Sequence, residues 1–130
     1  MNPFIADIEA EKTEGLRIVL PFPPASLSGH AKGHWRTKSG PTAKAREDAL
    51  KATLAIRNQL TGLLADNSDI PVHVTFYPPD RRGDRVNYPN RMKPYWDGIA
   101  DALCVNDNRF LPSYVFAAPE KPGRVEVELG

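Results

Sequence analysis

Two segments of the chain alternate apolar and polar side chains with the period of two that a half-buried strand requires. In the first, Val72, Val74 and Phe76 share one face. In the second, Val125, Val127 and Leu129 do the same and are expected to face the core. Shorter strands are predicted at residues 16–20 and 113–118, the first stopped by a proline-rich run that cannot continue a ladder.

Helical spacing predicts two helices between these strands. One begins at residue 41 or 42 and runs to about 64, with small alanines on one face that suggest close packing on a sheet. It follows a long loop at residues 25–41. The other begins near Asn90, because Pro94 is best tolerated in a first turn. On this helix Met92, Trp96, Ile99 and Leu103 form a narrow apolar arc.

The order of these elements predicts an α/β fold, with a four-stranded mixed sheet and helices packed on one face. The chain has 130 residues, of which 41% are hydrophobic and 25% charged, as expected for one globular domain. We predict a domain at residues 16–130 behind a mobile acidic tail at residues 1–15. No apolar run reaches the length of a membrane span and no targeting segment is evident, so a cytoplasmic protein is expected. The single cysteine, Cys104, is predicted to be a small core residue.

The net charge of +1 conceals an uneven distribution, because the acidic residues crowd the N-terminus and residues 30–46 carry a cluster of cations. Basic and aromatic side chains in the loops suit phosphate contact and base stacking, although Trp35 could instead anchor its loop to the core. The candidate DNA-binding residues are His30, Lys32, His34, Trp35, Arg36, Lys38, Arg81, Arg82, Arg85 and Arg91.

Carboxylates and a lysine flank the second helix. Asp84 precedes it, Asp107 follows it, and Lys93 lies on it with Asp97 and Asp101 in an i, i+4 stripe. Carboxylates can hold magnesium against a phosphodiester, and a lysine can stabilise the charge of the transition state. The alternative is structural, since an aspartate at a helix boundary is commonly a cap and Lys93 with Asp97 is commonly a surface pair.

Five short motifs follow one another along the chain and together span about residues 16–129. They are Leu20-Pro21-Phe22-Pro23-Pro24, His34-Trp35-Arg36, Asp84-x-x-Asn87, Lys93-Pro94-x-x-Asp97-Gly98-Ile99-Ala100-Asp101-Ala102-Leu103, and Asn106-Asp107 before Phe110. In this order the chain resembles the RusA family of phage and prophage Holliday junction resolvases. The resemblance implies a Mg²⁺-dependent endodeoxyribonuclease, with Mn²⁺ as an alternative metal, that acts as a homodimer on four-way DNA junctions in a bacterial cell.

By this resemblance, Asp84 and Asp107 are metal ligands, and Asp84, Lys93 and Asp107 form the catalytic set. The family motif resembles Asp-x-Asp-Asn, and its second aspartate falls on Val86, which cannot bind a metal. Asn87 or Asp97 could supply the missing oxygen. Alternatively, metal binding is weaker, or the chain is a catalytically silent module that binds junctions.

The separation of the two aspartates raises a further question. A helix of roughly 14 residues is about 20 Å long, so Asp84 and Asp107 could not share one metal across its length. Either the flanking segments run back along the helix, or a two-fold partner supplies one carboxylate.

Overall fold

A computed structural model describes residues 16–27 and 35–130, with the side chains of residues 35–39 left out. The predicted tail at residues 1–15 lies outside the described residues. The strands are β1 (Arg17–Pro21), β2 (Ile70–Tyr77), β3 (Phe110–Phe116) and β4 (Arg124–Leu129). The helices are α1 (Trp35–Ile56), the single turn α2 (Thr61–Leu64) and α3 (Lys93–Leu103).

The four strands form one mixed sheet in the order β1-β4-β2-β3. Strand β4 is antiparallel to both β1 and β2, whereas β3 is parallel to β2. The α/β fold with a four-stranded mixed sheet and helices packed against it is therefore confirmed. Although β3 and β4 are consecutive in the chain, β2 lies between them, so β3 is an edge strand.

The core lies between the sheet and the helices. The prediction that Val125, Val127 and Leu129 face the core is confirmed, and the shared face of the first segment, formed by Val72, Val74 and Phe76, is fully buried as well. Registered pairs such as Val74 with Val127 and Phe76 with Val125 bring these side chains together on one face. A period-two pattern is sufficient to assign this face, because neighbouring side chains on a strand point to opposite sides.

Helix α1 begins at Trp35, six residues before Pro41, so the prediction of a loop up to residue 41 was wrong for residues 35–41. The prediction treated proline as a helix start because proline lacks the amide hydrogen of an interior position. Here Pro41 lies inside the helix. At the other end, α1 stops at Ile56 and a 3₁₀ turn, Arg57–Leu60, separates it from α2, so the predicted single helix to residue 64 is broken.

Helices α1 and α3 cross at very close range. A Cβ atom built on Gly98 would lie 2.2 Å from the carbonyl oxygen of Arg46 and 2.9 Å from the Cβ of Ala49, which is fully buried. Only glycine allows the two backbones to approach this closely. The small alanines of α1 were expected to pack on the sheet, but Ala49 packs at this helix crossing.

Helix α3 follows a 3₁₀ segment, Pro89–Met92, and has Pro94 in its first turn, close to the predicted start. Of its apolar arc, Met92, Ile99 and Leu103 are buried, and Trp96 is half-buried against Phe110, with ring centroids 5.6 Å apart. The helix ends at Cys104, which is exposed and adopts the left-handed conformation with φ of 56°. The prediction of a buried Cys104 was wrong, because this residue serves as a C-cap.

Within residues 16–27 and 35–130, none of the helices has the length and apolar character needed to cross a membrane.

Candidate active site

The ammonium group of Lys93 joins two aspartates at the start of α3. Its Nζ donates to Asp107 Oδ2 at 2.6 Å and lies 2.9 Å from Asp97 Oδ1. The side chain of Lys93 remains 66% exposed, whereas Asp97 and Asp107 are 29% and 35% exposed. We call Lys93, Asp97 and Asp107 the lysine cluster, and it is open to a ligand from solvent.

Asp107 reaches this position because the chain reverses after α3. The helix has 11 residues and is about 16 Å long at 1.5 Å per residue. Cys104 takes the left-handed conformation, and its amide donates to the carbonyls of Ala100 and Asp101, which ends the helix. The following residues then run back, so that Asp107 meets the first residue of the helix. This return brings Asp107 to Lys93 and not to Asp84, so whether the two aspartates share one metal, within one chain or across a dimer, stays a prediction.

Arg109 fixes the turn that carries Asp107. Its guanidinium donates to the carbonyl oxygens of Leu63, Asp66 and Ser68, at distances between 2.7 and 3.3 Å. Asn106 caps the same turn by accepting from the amide of Asn108 at 3.0 Å. Arg109 therefore anchors the loop of Asp107 to a segment distant in sequence. Nothing in the sequence indicated this role for Arg109.

The two aspartates raise the pKa of Lys93 above its ordinary value, mainly through the hydrogen bond to Asp107 and then through that to Asp97. Lys93 is thus positively charged at neutral pH. A cation at this point offsets the repulsion between two neighbouring carboxylates and can also contact a phosphate.

Asp101 extends the predicted stripe by one helical turn and pairs with Arg46 of α1. The Arg46 Nε donates to Asp101 Oδ2 at 2.7 Å. This hydrogen bond is the main reason why the pKa of Asp101 falls below its ordinary value. Arg46 was not among the candidate DNA contacts, but it lies on the same charged face of the helix pair.

Asp84 makes a different set of contacts. Its Oδ1 accepts from the amide of Val86 at 3.0 Å, and its Oδ2 accepts from Asn87 Nδ2 at 3.3 Å. Asp84 thus caps the 3₁₀ turn Arg85–Asn87. Val86 is 81% exposed, so the side chain at this position projects into solvent and not into the core.

The candidate ligands therefore form two groups, Asp84 with Asn87 and Asp97 with Asp107. In the described part of the chain, no three side chains of the His, Cys, Asp and Glu types come together around a metal position. Mg²⁺ commonly takes only one or two carboxylates and keeps several waters. The pair Asp97 and Asp107 fits such an ion, provided that the Lys93 ammonium moves from between them.

The arginines around this region differ in exposure. Arg81, Arg82 and Arg85 are exposed, and Arg82 pairs with Asp80 at 2.9 Å. Arg91 is half-buried and donates to the carbonyl of Pro23 at 3.2 Å. Of the other predicted DNA contacts, His30, Lys32 and His34 lie outside the described residues. Trp35, Arg36 and Lys38 are described only by their helical backbone.

Comparison with known proteins adds one relative. The chain is 40% identical over 96 residues to an uncharacterized protein of Xylella fastidiosa, a match that covers 72% of this chain and 61% of that protein. The chain thus spans about three fifths of the length of this relative. No family model matches the chain. The resemblance to RusA therefore rests on the motifs of the chain itself.

Proposed function

We propose that the protein is a metal-dependent endodeoxyribonuclease of the RusA type, which acts as a homodimer on branched DNA such as a four-way junction. The protein would act in the cytoplasm of a bacterial cell and would be encoded by a phage or prophage. The observation that carries the proposal is the lysine cluster, in which two carboxylates from separate segments meet one cation at an exposed position.

A divalent metal fits this arrangement through Asp97 and Asp107, whose oxygens already converge on one cation. Bound there, Mg²⁺ or Mn²⁺ would screen the phosphate charge and activate water. The sequence suggested Asp97 only as a substitute ligand. We propose that Asp97, and not Asp84, binds the metal together with Asp107. Asp84 and Asn87 would join the site only if the cap of the 3₁₀ turn Arg85–Asn87 opened.

The remaining side chains would bind and orient the DNA. Lys93, charged at neutral pH, would turn from its aspartates toward a phosphate oxygen when a metal takes over the carboxylates. The exposed Arg81, Arg82 and Arg85 would hold neighbouring phosphates through charge-assisted hydrogen bonds. Two such sites in a homodimer would match the two symmetric cuts of a four-way junction.

A second function, a junction-binding module without cleavage, is favoured by the surroundings of Val86. This exposed valine stands where the family pattern has a carboxylate, and Asp84 beside it is engaged as a cap. In that case the arginines would still bind DNA, but the metal would be held too weakly for hydrolysis.

The deciding experiment incubates the purified protein with a synthetic four-way junction, with and without Mg²⁺ or Mn²⁺, and scores binding and cleavage separately. We expect metal-dependent cleavage that falls by at least about 100-fold in Asp107→Asn and in Asp97→Asn, because a lost metal ligand removes several kcal/mol of transition-state stabilisation. Binding of the junction should remain.

Asp48→Asn is the matched control, since Asp48 forms an equally exposed i, i+4 pair with Lys44 on α1. It should cleave like the wild type. Binding without cleavage in either metal would reject the nuclease and leave the binding module. In that event, gain of cleavage by Val86→Asp would identify the missing ligand.

A further inference from the structure

A small pocket lies between the loop that follows β2 and the proline-rich segment that follows β1. Its volume is about 260 Å³, and its walls include Phe22, Tyr88 and four prolines. Asp80, Gly83 and Arg91 complete the lining. Pockets for drug-sized ligands are usually larger, so this one suits a single small ring system.

The guanidinium of Arg91 is stacked among the aromatic walls. Its central carbon lies 5.0 Å from the ring centroid of Tyr88 and 5.9 Å from that of Phe22. Among the described residues, its one hydrogen bond is from Nη1 to the carbonyl of Pro23. Its Nε is buried without any partner in the same part of the chain, so a ligand in the pocket would contact the guanidinium through its terminal nitrogens. Buried donors are almost always paired, so Arg91 has hydrogen-bonding capacity that the fold itself does not use.

Asp80 provides the opposite charge in the same pocket. The amide of Arg82 donates to Asp80 Oδ1 at 2.9 Å, which is the main reason why the pKa of Asp80 lies below its ordinary value. Asp80 is thus ionised at neutral pH, and its Oδ2 accepts from the guanidinium of Arg82 at 2.9 Å, which partly neutralises its charge. A ligand that matches both residues needs an acceptor for Arg91 and a donor for Asp80.

We propose that this pocket receives a single nucleobase, held against Phe22 and the prolines with its polar edge toward Arg91 and Asp80. Base edges present acceptors and donors side by side, and their faces stack on aromatic rings and on arginine. The base would come from a free nucleotide or from an unstacked position in DNA.

The choice of DNA as the source rests on the proposed function. Gly83 immediately precedes Asp84, and Arg91 is two residues before Lys93. A base in the pocket would therefore carry its phosphate toward the candidate active site. The pocket would then select the nucleotide next to the cut.

The test is an NMR titration of the whole protein with dCMP, dAMP, dGMP and dTMP, and with inorganic phosphate and deoxyribose 5-phosphate as probes that lack a base. We expect at least one nucleotide to shift the amides of Gly83 and Arg91, and the two probes without a base to leave them in place. Equal shifts with phosphate alone, or shifts only elsewhere in the protein, would overturn the proposal.

Two variants examine the polar edge. Asp80→Asn and Arg91→Lys should each weaken nucleotide binding by roughly tenfold, the loss expected for one charge-assisted hydrogen bond. Asp66→Asn is the control. Asp66 Oδ1 also accepts a hydrogen bond from the amide two residues ahead in an exposed turn, but this turn precedes β2, whereas Asp80 follows it. Thermal unfolding of each variant separates lost binding from lost folding. Wild-type affinity in both folded pocket variants would reject the assignment.

The source of the base is resolved by comparing whichever mononucleotide binds with the single-stranded tetradeoxynucleotide of the same base. Tighter binding of the oligonucleotide at the same amides indicates a base within DNA, whereas binding of the mononucleotide alone indicates a free nucleotide. A proline-rich peptide that shifts these amides when no nucleotide does would assign the pocket to a protein partner and overturn the proposal. Since the titration contains neither metal nor junction, its failure is independent of the cleavage assay.

Discussion

Two lysine–aspartate pairs with the same spacing lie on the two long helices and have different surroundings. Lys44 and Asp48 on α1 are 2.7 Å apart, and Lys93 and Asp97 on α3 are 2.9 Å apart. The exposures of their side chains are also nearly equal. Among residues 16–27 and 35–130, only the second pair has another carboxylate against its lysine, that of Asp107. Local spacing therefore predicts both pairs equally well, and only the fold separates a surface pair from a candidate site.

The largest effect is expected where the two helices cross. In Gly98→Ala the new methyl carbon would lie 2.2 Å from the Arg46 carbonyl oxygen and 3.0 Å from the Leu50 amide nitrogen. Both are backbone atoms, so the helices must separate. We expect the free energy of unfolding to fall by at least about 3 kcal/mol, as for severe overpacking, when measured by urea denaturation.

Gly62→Ala is the matched control for this substitution, because nothing lies within 4 Å of a Cβ atom built there. Its short helix should tolerate alanine with a change of less than about 1 kcal/mol, in the stabilising direction. Equal stability of the two variants would mean that the crossing of α1 and α3 tolerates a side chain at residue 98.

The sequence predicts the strands well because burial on one face leaves a pattern of period two, as in Val72, Val74 and Phe76. It also predicts the charged stripe of α3, which follows from the helical period alone. It could not predict that Asp107 returns to Lys93. That contact depends on the reversal at Cys104 and on the bonds of Arg109 to a distant turn, and neither has a local signature.

Nor does the sequence indicate which side of α1 meets α3. The alanines show that something packs closely, but only the position of Gly98 identifies the partner as a helix. The start of α1 was predicted wrongly at Pro41 for a related reason. Proline is favoured in the first turn of a helix, but this local preference cannot show that the helix also extends before Pro41.

Tyr95 lies between Lys93 and Asp97 on α3, and its side chain is buried. Its hydroxyl donates to the carbonyl of Pro21 at 2.6 Å. Burial, with a smaller contribution from the charge of Asp48, raises the pKa of Tyr95 to about 12. The unfolded chain loses this proton near pH 10 and the folded chain only near pH 12. Stability from this group is therefore complete below pH 10 and lost as the pH rises to 12.

We expect the free energy of unfolding to decrease in this window by about 1.4 kcal/mol per pH unit more in the wild type than in Tyr95→Phe. At neutral pH the variant should be less stable by about 1 kcal/mol, since the hydrogen bond to Pro21 is lost. Denaturation at several pH values measures both. Parallel curves above pH 10 would show that the hydroxyl ionises as easily in the folded protein as in the unfolded chain.

The smallest effects are expected for the coupling free energies of the two lysine–aspartate pairs. They are measured by double-mutant cycles that neutralise each lysine and each aspartate. Lys44 with Asp48 should couple by about 0.3 kcal/mol, as isolated i, i+4 pairs do. Lys93 with Asp107 should couple by roughly 0.5–1 kcal/mol, within the range of exposed ion pairs, because the turn that carries Asp107 is already fixed by Arg109. Because Lys93 divides its charge between two aspartates, its coupling to Asp97 should increase when Asp107 is replaced by asparagine. The same background change should leave the coupling of Lys44 to Asp48 unaltered. If the coupling of Lys93 to Asp97 is also insensitive to Asp107, the three side chains do not act as a cluster, and the two helices carry equivalent surface pairs.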